Sequence, residues 1–277
     1  MDILQAGFLV VLGVVVGTYG TLIGAGGGFL LVPVLLFMYP HEKPAIVTTI
    51  SLAVVFFNAL SGSVAYGRMR RIDFKSGALF AIATVPGAVL GALAVSFVSR
   101  GLFSVVFGAV LVVISALSFL SVREKISPDR PASVFWKIRT LVDQFGQRHT
   151  YAFDLRIGLA LSFVVGFLSS LLGIGGGIVH VPALIHLLHF PVHIATATSQ
   201  FVLVVTSLTG SAVHVAAGEL TPGTGLMRVL LLSAGVLPGA QIGARLAMHV
   251  RGTWIIRLLA LALTLVGLRL VALGILG

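Results

Sequence analysis

The chain has 277 residues and a net charge of +10, with 58% hydrophobic and 9% charged residues. In soluble domains about a quarter of all residues are charged, so this composition excludes an ordinary soluble protein and indicates a polytopic membrane protein. Because the chain contains no cysteine, it has no disulfide, no thiolate metal site and no sulfur nucleophile. The basic residues lie mainly in short loops, where they set membrane orientation, so we expect no nucleic-acid partner.

Eight apolar segments predict an all-helical membrane protein built from two sets of four segments. The first set covers residues 6–38, 45–66, 76–98 and 102–122, and the second set covers residues 155–188, 194–216, 225–250 and 254–276. Most of them are close to the length of about 20 apolar residues that crosses a bilayer once. We therefore expect two transmembrane halves, residues 1–122 and 155–277, joined by a linker at residues 123–154.

The linker is the one long polar stretch of the chain, and it contains prolines and mixed charges. Seven lysine or arginine residues lie between Arg123 and Arg156, which predicts a cytoplasmic location. Within the linker, we expect a short amphipathic helix near residues 134–145 that lies on the membrane surface.

The first segment of each half contains a cluster of four glycines. The clusters lie 149 residues apart and comprise Gly24, Gly26, Gly27 and Gly28 in the first half and Gly173, Gly175, Gly176 and Gly177 in the second. Residues 17–33 align without a gap on residues 166–182, and eight of the 17 aligned pairs are identical. A backbone break that recurs in both halves is typical of the binding site of a transporter built from an internal repeat.

Each glycine-containing segment has about 33 residues, which is too long for one upright helix and too short for two full spans. A re-entrant hairpin fits this length, because the chain can turn at the glycines near the bilayer midplane and return to the side it came from. The alternative is one tilted, broken helix that crosses the membrane once.

Loop charges favour the re-entrant hairpin and an inverted repeat. Arg68, Arg70, Arg71 and Lys75 predict a cytoplasmic loop after the second segment, and a second basic cluster predicts the same for the loop after the seventh. The linker and that second loop can both be cytoplasmic only if the fifth segment does not cross. Both termini would then lie outside, although Arg269 near the C-terminus opposes this orientation.

A glycine break can bind an anion, because the helix that begins there has unpaired backbone N–H groups and the positive end of its dipole. The absence of side chains also lets an anion approach the backbone closely. The glycines predicted to bind an oxyanion at the bilayer midplane are Gly26, Gly27, Gly28, Gly175, Gly176 and Gly177. The alternative is that the glycines serve only the close packing of helices.

Polar residues of the second and sixth segments extend the predicted site. Four pairs share an offset of 148 residues, namely Thr48 and Thr196, Ser51 and Ser199, Asn58 and Thr206, and Gly62 and Gly210. In each helix these positions fall within an arc of about 80°, so they form one polar stripe that should face the protein interior. Thr49, Thr198 and Gln200 add donors near the outer ends of the two helices. Alternatively, the hydroxyl groups bond to carbonyls of their own helix.

These residues resemble the sulfite exporter TauE/SafE family of bacterial membrane permeases, and the resemblance covers nearly the whole chain. The motifs that carry it are the glycine clusters with the following Pro33 and Pro182, the stretches Thr48-Thr49 and Thr198-Ser199-Gln200, and the pairs Pro86-Gly87 and Pro238-Gly239. The resemblance implies a multi-pass permease of the bacterial inner membrane, without a cofactor, that moves a small sulfur oxyanion such as sulfite, a thiosulfate-like anion or an organosulfonate. The long charged linker departs from the shorter family members.

Two histidines within the apolar segments, His180 and His214, are candidates for proton coupling, because intramembrane titratable groups are commonly functional. The alternative is a neutral histidine that is hydrogen-bonded within the helix bundle. All eight acidic residues lie at or near loops, which disfavours a sodium or calcium site and an intramembrane hydrolase.

We therefore expect a secondary transporter without a metal and without enzymatic activity. Its expected partners are a small anion and the lipid bilayer, and a homo-oligomer is compatible with the sequence. A passive anion channel is the alternative function, since it would use the same neutral donors but permit continuous flux through a pore.

Overall fold

The computed structural model describes residues 3–120, 135–220 and 223–276, and most of them are helical. The helices of the first half are α1 (Ile3–Leu22), α2 (Gly28–Met38), α3 (Pro44–Arg68), α4 (Phe74–Ala94) and α5 (Arg100–Leu120). The helices of the second half are α6 (Leu155–Leu172), α7 (Gly177–His186), α8 (Val192–Ala216), α9 (Thr224–His249) and α10 (Gly252–Leu276). In this described part, the helices long and apolar enough to cross a membrane are α1, α3, α4 with its 3-10 turn, α6, α8 and α9. The predicted class, a polytopic helical membrane protein, is therefore confirmed.

Glycines in the left-handed conformation separate α1 from α2 and α6 from α7. The φ angles are 77°, 75° and 82° at Gly24, Gly26 and Gly27, and 72°, 77° and 88° at Gly173, Gly175 and Gly176. Residues with a side chain rarely adopt this conformation, so glycine allows the chain to leave the helix at these points. The next helices then begin at Gly28 and Gly177.

The chain reverses its direction between α1 and α2. Helix α1 lies along α9 in the same direction, since Val10 contacts Gly235 and Thr18 contacts Gly243. An ion pair joins Glu42, in the connection from α2 to α3, to a residue near the start of α9. That connection therefore lies at the end of the bundle at which α1 and α9 begin.

The second half reverses in the same manner from the opposite end. Helix α6 lies along α4 in the same direction, since Phe163 contacts Gly87 and Phe167 contacts Gly91. Phe190, which follows α7, packs in an apolar cluster near the start of α4. Helices α6 and α7 therefore begin and end at the same end of the bundle.

The two reversals bring both glycine turns to the centre of the bundle from opposite ends. The two helices that each turn joins differ in length. They have 20 and 11 residues in the first half and 18 and 10 residues in the second. Between them, α3 and α8 pack in opposite directions, since Gly62 lies near Gln200 and Gly210 lies near Leu52. The depth of the turns in a bilayer, the re-entrant path and the inverted repeat stay predictions.

Residues 136–154 form a β-hairpin, so the predicted amphipathic helix near residues 134–145 is wrong. Strand β1 (Trp136–Val142) pairs in antiparallel fashion with strand β2 (Arg148–Asp154). The exposure of side chains alternates along much of β1, which is the period of a strand and not of a helix. Residues 123–134 of the predicted linker lie outside the described residues.

The turn of this hairpin is closed by Asp143, whose Oδ1 atom accepts hydrogen bonds from the N–H groups of Phe145 and Gln147. Gly146 adopts a φ of 77° within the same turn. The hairpin docks on the end of the bundle at which α4 begins, where the Tyr151 hydroxyl donates to Asp73. This docked segment is called the linker hairpin below.

The orientation of the bundle can be tested with topology reporters. We expect a reporter fused after Gly277 to read outside and one inserted near Pro131 to read inside, because basic residues are retained on the cytoplasmic side. The measurement is the activity of an enzyme reporter that works on only one side of the membrane. A cytoplasmic C-terminus would contradict the inverted arrangement.

Candidate functional site

The two glycine turns contact each other at the centre of the bundle. A Cβ atom added to Gly28 would lie 2.7 Å from the carbonyl oxygen of Gly173. One added to Gly177 would overlap with the carbonyl oxygen of Gly24. Because these neighbours are backbone atoms, neither position has room for a side chain. Helices α2 and α7 therefore begin beside each other's glycine turn.

The first turns of α2 and α7 carry unpaired backbone donors. Within the described part of the chain, no hydrogen bond is made by the N–H groups of Gly27, Gly28, Phe29, Gly176, Gly177 and Ile178. All six residues are buried, and buried N–H groups are seldom left unpaired in proteins. The positive ends of two helix dipoles meet at the same place. Both features favour a negatively charged ligand.

No acidic side chain of the described residues opposes this positive potential at the centre. The described carboxylates lie in connections or at the ends of helices and strands, and they belong to Glu42, Asp73, Asp143, Asp154 and Glu219. The apolar side chains of Val55 and Leu203 lie against Gly26 and Gly175. The centre therefore presents neutral donors in apolar surroundings, where electrostatic interactions are strong.

The predicted polar stripe of α3 is buried and faces the glycine turns. The Ser51 hydroxyl donates to the carbonyl of Gly173 at 2.6 Å, and the Asn58 amide donates to the carbonyl of Gly26 at 3.0 Å. The Cα atom of Thr48 also lies against Gly173. The Thr48 hydroxyl is buried without a hydrogen-bond partner among the described residues.

The equivalent stripe of α8 approaches the other turn with a different set of bonds. The backbone of Thr196 lies against Gly24, and the Gln200 side chain donates to the carbonyl of Gly20 at 3.3 Å. The hydroxyl of Ser199 and the Oε1 atom of Gln200 are buried and have no partner in the described ranges. Ser199 therefore keeps a free hydroxyl, whereas that of its counterpart Ser51 is already bonded.

The family model for the sulfite exporter TauE/SafE matches residues 9–270 of the chain. The chain belongs to the sulfite exporter TauE/SafE family. It is 36% identical to the probable membrane transporter protein YunE of Bacillus subtilis, over 96% of this chain and 97% of that relative. This TauE/SafE chain is therefore a membrane transporter, in agreement with its long apolar helices.

Two further relatives are more distant from this TauE/SafE protein. A probable membrane transporter protein of Methanocaldococcus jannaschii is 29% identical over 73% of this chain and 69% of its own length. The probable membrane transporter protein YjnA of Bacillus subtilis is 27% identical over 86% of this chain and 89% of its own length. No solved structure gives a significant match.

Three predicted site hydroxyls of this TauE/SafE transporter are engaged in other bonds. Thr49 donates to a carbonyl of its own helix. Thr198 accepts a hydrogen bond from the N–H group of Asp73 at 3.1 Å, and Thr206 donates to Thr84 of α4 at 2.8 Å. The hydroxyls of Thr49 and Thr206 thus donate within the protein, whereas the Thr198 hydroxyl accepts a bond and keeps its own proton.

Thr21 and Ser170, which hold bonds at the ends of α1 and α6, were missed by sequence reasoning. The Tyr66 hydroxyl donates to the carbonyl of Thr21, and the Thr21 hydroxyl donates to Asn58. In the second half, His214 lies 3.3 Å from the carbonyl of Ser170 and so takes the place of Tyr66. The offsets that align the glycine clusters also align Thr21 with Ser170, which is the signal that could have revealed them.

His180 lies in the first turns of α7 and is fully buried. Its ring meets the ring of Phe80 edge to face, with 5.9 Å between the centroids. Neither ring nitrogen has a hydrogen-bond partner among the described residues. His180 and His214 therefore differ, because only His214 is held by a bond to the end of a neighbouring helix.

Proposed function

We propose that this chain is a secondary transporter of the bacterial inner membrane that moves a small sulfur oxyanion, such as sulfite, a thiosulfate-like anion or an organosulfonate. The observation that carries the proposal is the meeting of two helix N-termini with unpaired, buried N–H groups at the centre of the bundle. Membership of the sulfite exporter TauE/SafE family supports the class of anion.

The donors at the centre suit the transport of an anion and not its permanent retention. The backbone N–H groups and the hydroxyls of Thr48 and Ser199 are neutral, so they bind an oxyanion less tightly than an arginine or lysine would. An anion held by neutral donors can be released to the other side. The proposed role is transport without catalysis.

The contact between the two turns also suggests how access alternates. The Cα atoms and carbonyls of the turns fill the centre in this conformation, since an added Cβ at Gly28 would lie 2.7 Å from Gly173. An anion that binds between the turns must therefore separate one hairpin from the other. Rocking of one half against the other around the site would expose it to each side in turn.

His180 is the stronger of the two candidates for a coupling proton in this proposal. Its ring nitrogens are free among the described residues, and it lies on the helix that begins at the second glycine turn. His214 is bonded to Ser170 in the position that Tyr66 occupies in the first half. Because a tyrosine, which does not titrate near neutral pH, makes the equivalent contact in the first half, a structural role explains His214 better than proton coupling.

A binding survey of the purified protein tests the proposed function. We expect sulfite, thiosulfate or sulfoacetate to raise the midpoint of thermal unfolding, because a ligand that binds only the folded state stabilises it. Sulfate and taurine serve as comparison ligands with different charge and shape. If none of these compounds shifts the midpoint or moves across liposomes that contain the protein, the proposed substrate class is wrong.

A further inference from the structure

Arg71 is a buried cation beneath the linker hairpin. It follows α3 and is 6% exposed, and its Nε and Nη1 atoms have no hydrogen-bond partner among the described residues. Its Nη2 atom lies 3.5 Å from an Oδ2 atom of Asp143. Charge-assisted hydrogen bonds are shorter, at about 2.7 to 2.9 Å. Most of the hydrogen-bond donors of the guanidinium are therefore buried without a partner among the described residues.

Asp143 presents the opposing charge from the turn of the linker hairpin. Burial opposes the ionisation of its carboxyl, but the N–H groups of Gln147 and Phe145 and the charges of Arg71 and His149 outweigh burial and hold the pKa below its usual value. Asp143 is therefore a carboxylate at neutral pH. Its Oδ2 atom, which faces Arg71, has no hydrogen-bond donor within the described ranges.

Arg71 lies between the linker hairpin and the helices that contact the glycine turns. Its backbone N–H group donates to the carbonyl of Tyr66, whose hydroxyl bonds to the end of α1. His193, in the first turn of α8, is close enough to Arg71 and Asp143 to interact with their charges. Arg71 thus lies between the linker hairpin and the adjoining ends of α3 and α8.

Other bonds also attach the linker hairpin to the end of the bundle near Arg71. The N–H group of Gln144 donates to the carbonyl of Met69 at 3.1 Å, and the Tyr151 hydroxyl donates to Asp73 at 2.8 Å. Asp73 in turn bonds to Thr198 of α8. The docked hairpin therefore covers this end of the bundle. Asp143 is its residue that forms the ion pair with Arg71.

We propose that Arg71 is a second binding site for a small oxyanion, and that the Asp143 carboxylate occupies this site while the linker hairpin is docked. A free oxyanion can place two oxygen atoms on the fork of Nε and Nη atoms. Asp143 approaches only the Nη2 atom, at 3.5 Å. An anion bound at Arg71 competes with Asp143 and releases the hairpin. The kind of anion rests on the proposed function, whereas the site rests on the geometry of Arg71.

Hydrogen–deuterium exchange of the linker hairpin tests this site in the purified full-length protein. We expect thiosulfate to accelerate exchange of the amides of β1 and β2 about tenfold relative to chloride at equal ionic strength, a change that corresponds to about 1.4 kcal/mol. The matched control is Arg68→Gln, which removes an exposed positive charge at the end of α3, three residues before Arg71. In this control the response to thiosulfate should be retained.

Titration with thiosulfate separates this site from the one at the glycine turns. Asp143→Asn keeps an oxygen acceptor for the hairpin turn but removes the competing charge, so the affinity of the second site should rise about tenfold. Arg71→Gln should abolish binding at the Arg71 site and leave binding at the glycine turns unchanged. In a Gly177→Val variant the Arg71 site should persist even if the central site is lost.

Two results would overturn the assignment. If thiosulfate and chloride give equal exchange in the parent protein, the anion does not displace Asp143. If the titrations of Asp143→Asn and Arg71→Gln both match that of the parent protein, the ion pair only anchors the hairpin. Failure of the central site alone would appear differently, as a single anion site that is lost with Arg71→Gln.

Discussion

Replacing Gly177 with valine should abolish anion transport. A side chain at this position would overlap with the carbonyl oxygen of Gly24 and the Cα atom of Ala25. Backbone atoms cannot move aside as a flexible side chain can, and overpacking a close contact costs about 1 to 3 kcal/mol. The two helix N-termini would be forced apart and would no longer present their N–H groups to one anion. We expect transport to fall at least about 100-fold, which corresponds to about 2.8 kcal/mol.

The measurement is the flux of labelled thiosulfate or sulfite in liposomes, together with thermal unfolding of the purified variant. Gly101→Val is the matched control, because a Cβ atom at Gly101 has no neighbour within 4 Å. Gly177 is preferred to Gly176 because Gly176 has a φ of 88°, so a valine there would also strain the backbone. Normal flux in a folded Gly177→Val protein would show that the glycines serve packing alone.

Ser199→Ala and Ser51→Ala should have different effects, although the two serines are equivalent in the repeat. The Ser199 hydroxyl is buried and free of partners among the described residues. If it donates to the anion, its loss removes one hydrogen bond to a charged group, worth about 1.5 to 3 kcal/mol or roughly one to two decades in affinity. The stability of the empty protein should hardly change, because no bond to the protein is lost.

For Ser51→Ala we expect the reverse pattern. The Ser51 hydroxyl donates to the carbonyl of Gly173 at 2.6 Å. Removal of a partner leaves that buried carbonyl unsatisfied and should lower the free energy of unfolding by about 1 to 3 kcal/mol. Anion titration and thermal unfolding of both variants measure the difference. Equal losses of affinity in the two variants, with equal stability, would contradict the assignment of Ser199 as the free donor.

The segments and the breaks between them could be predicted from the sequence. The predicted segment at residues 45–66 corresponds to α3 (Pro44–Arg68), and the segment at residues 6–38 corresponds to α1 and α2 with the glycine turn between them. In a membrane, the backbone must satisfy its hydrogen bonds within each helix, so local hydrophobicity and length decide where the helices lie. The glycine clusters could be predicted as helix breaks because glycine leaves the helical conformation easily, which is also a local property.

The linker hairpin shows where that reasoning fails. The segment Trp136–Val142 forms a strand, whereas its sequence predicts an amphipathic helix. The hairpin is held by contacts with distant residues, such as the bonds from Tyr151 to Asp73 and from Gln144 to Met69. Such partners cannot be read from a local pattern.

The sequence by itself determined the medium of this protein, its helices, the two glycine breaks and the equivalence of residues at an offset of 148 or 149. Only the tertiary structure decided which partner each member of an equivalent pair bonds to. Asn58 bonds to the first glycine turn, whereas Thr206 bonds to Thr84 on α4. The physical reason is that a hydrogen bond needs a partner at about 3 Å with the right direction. Helices brought together from distant parts of the chain supply that partner, and repeated sequence does not guarantee it.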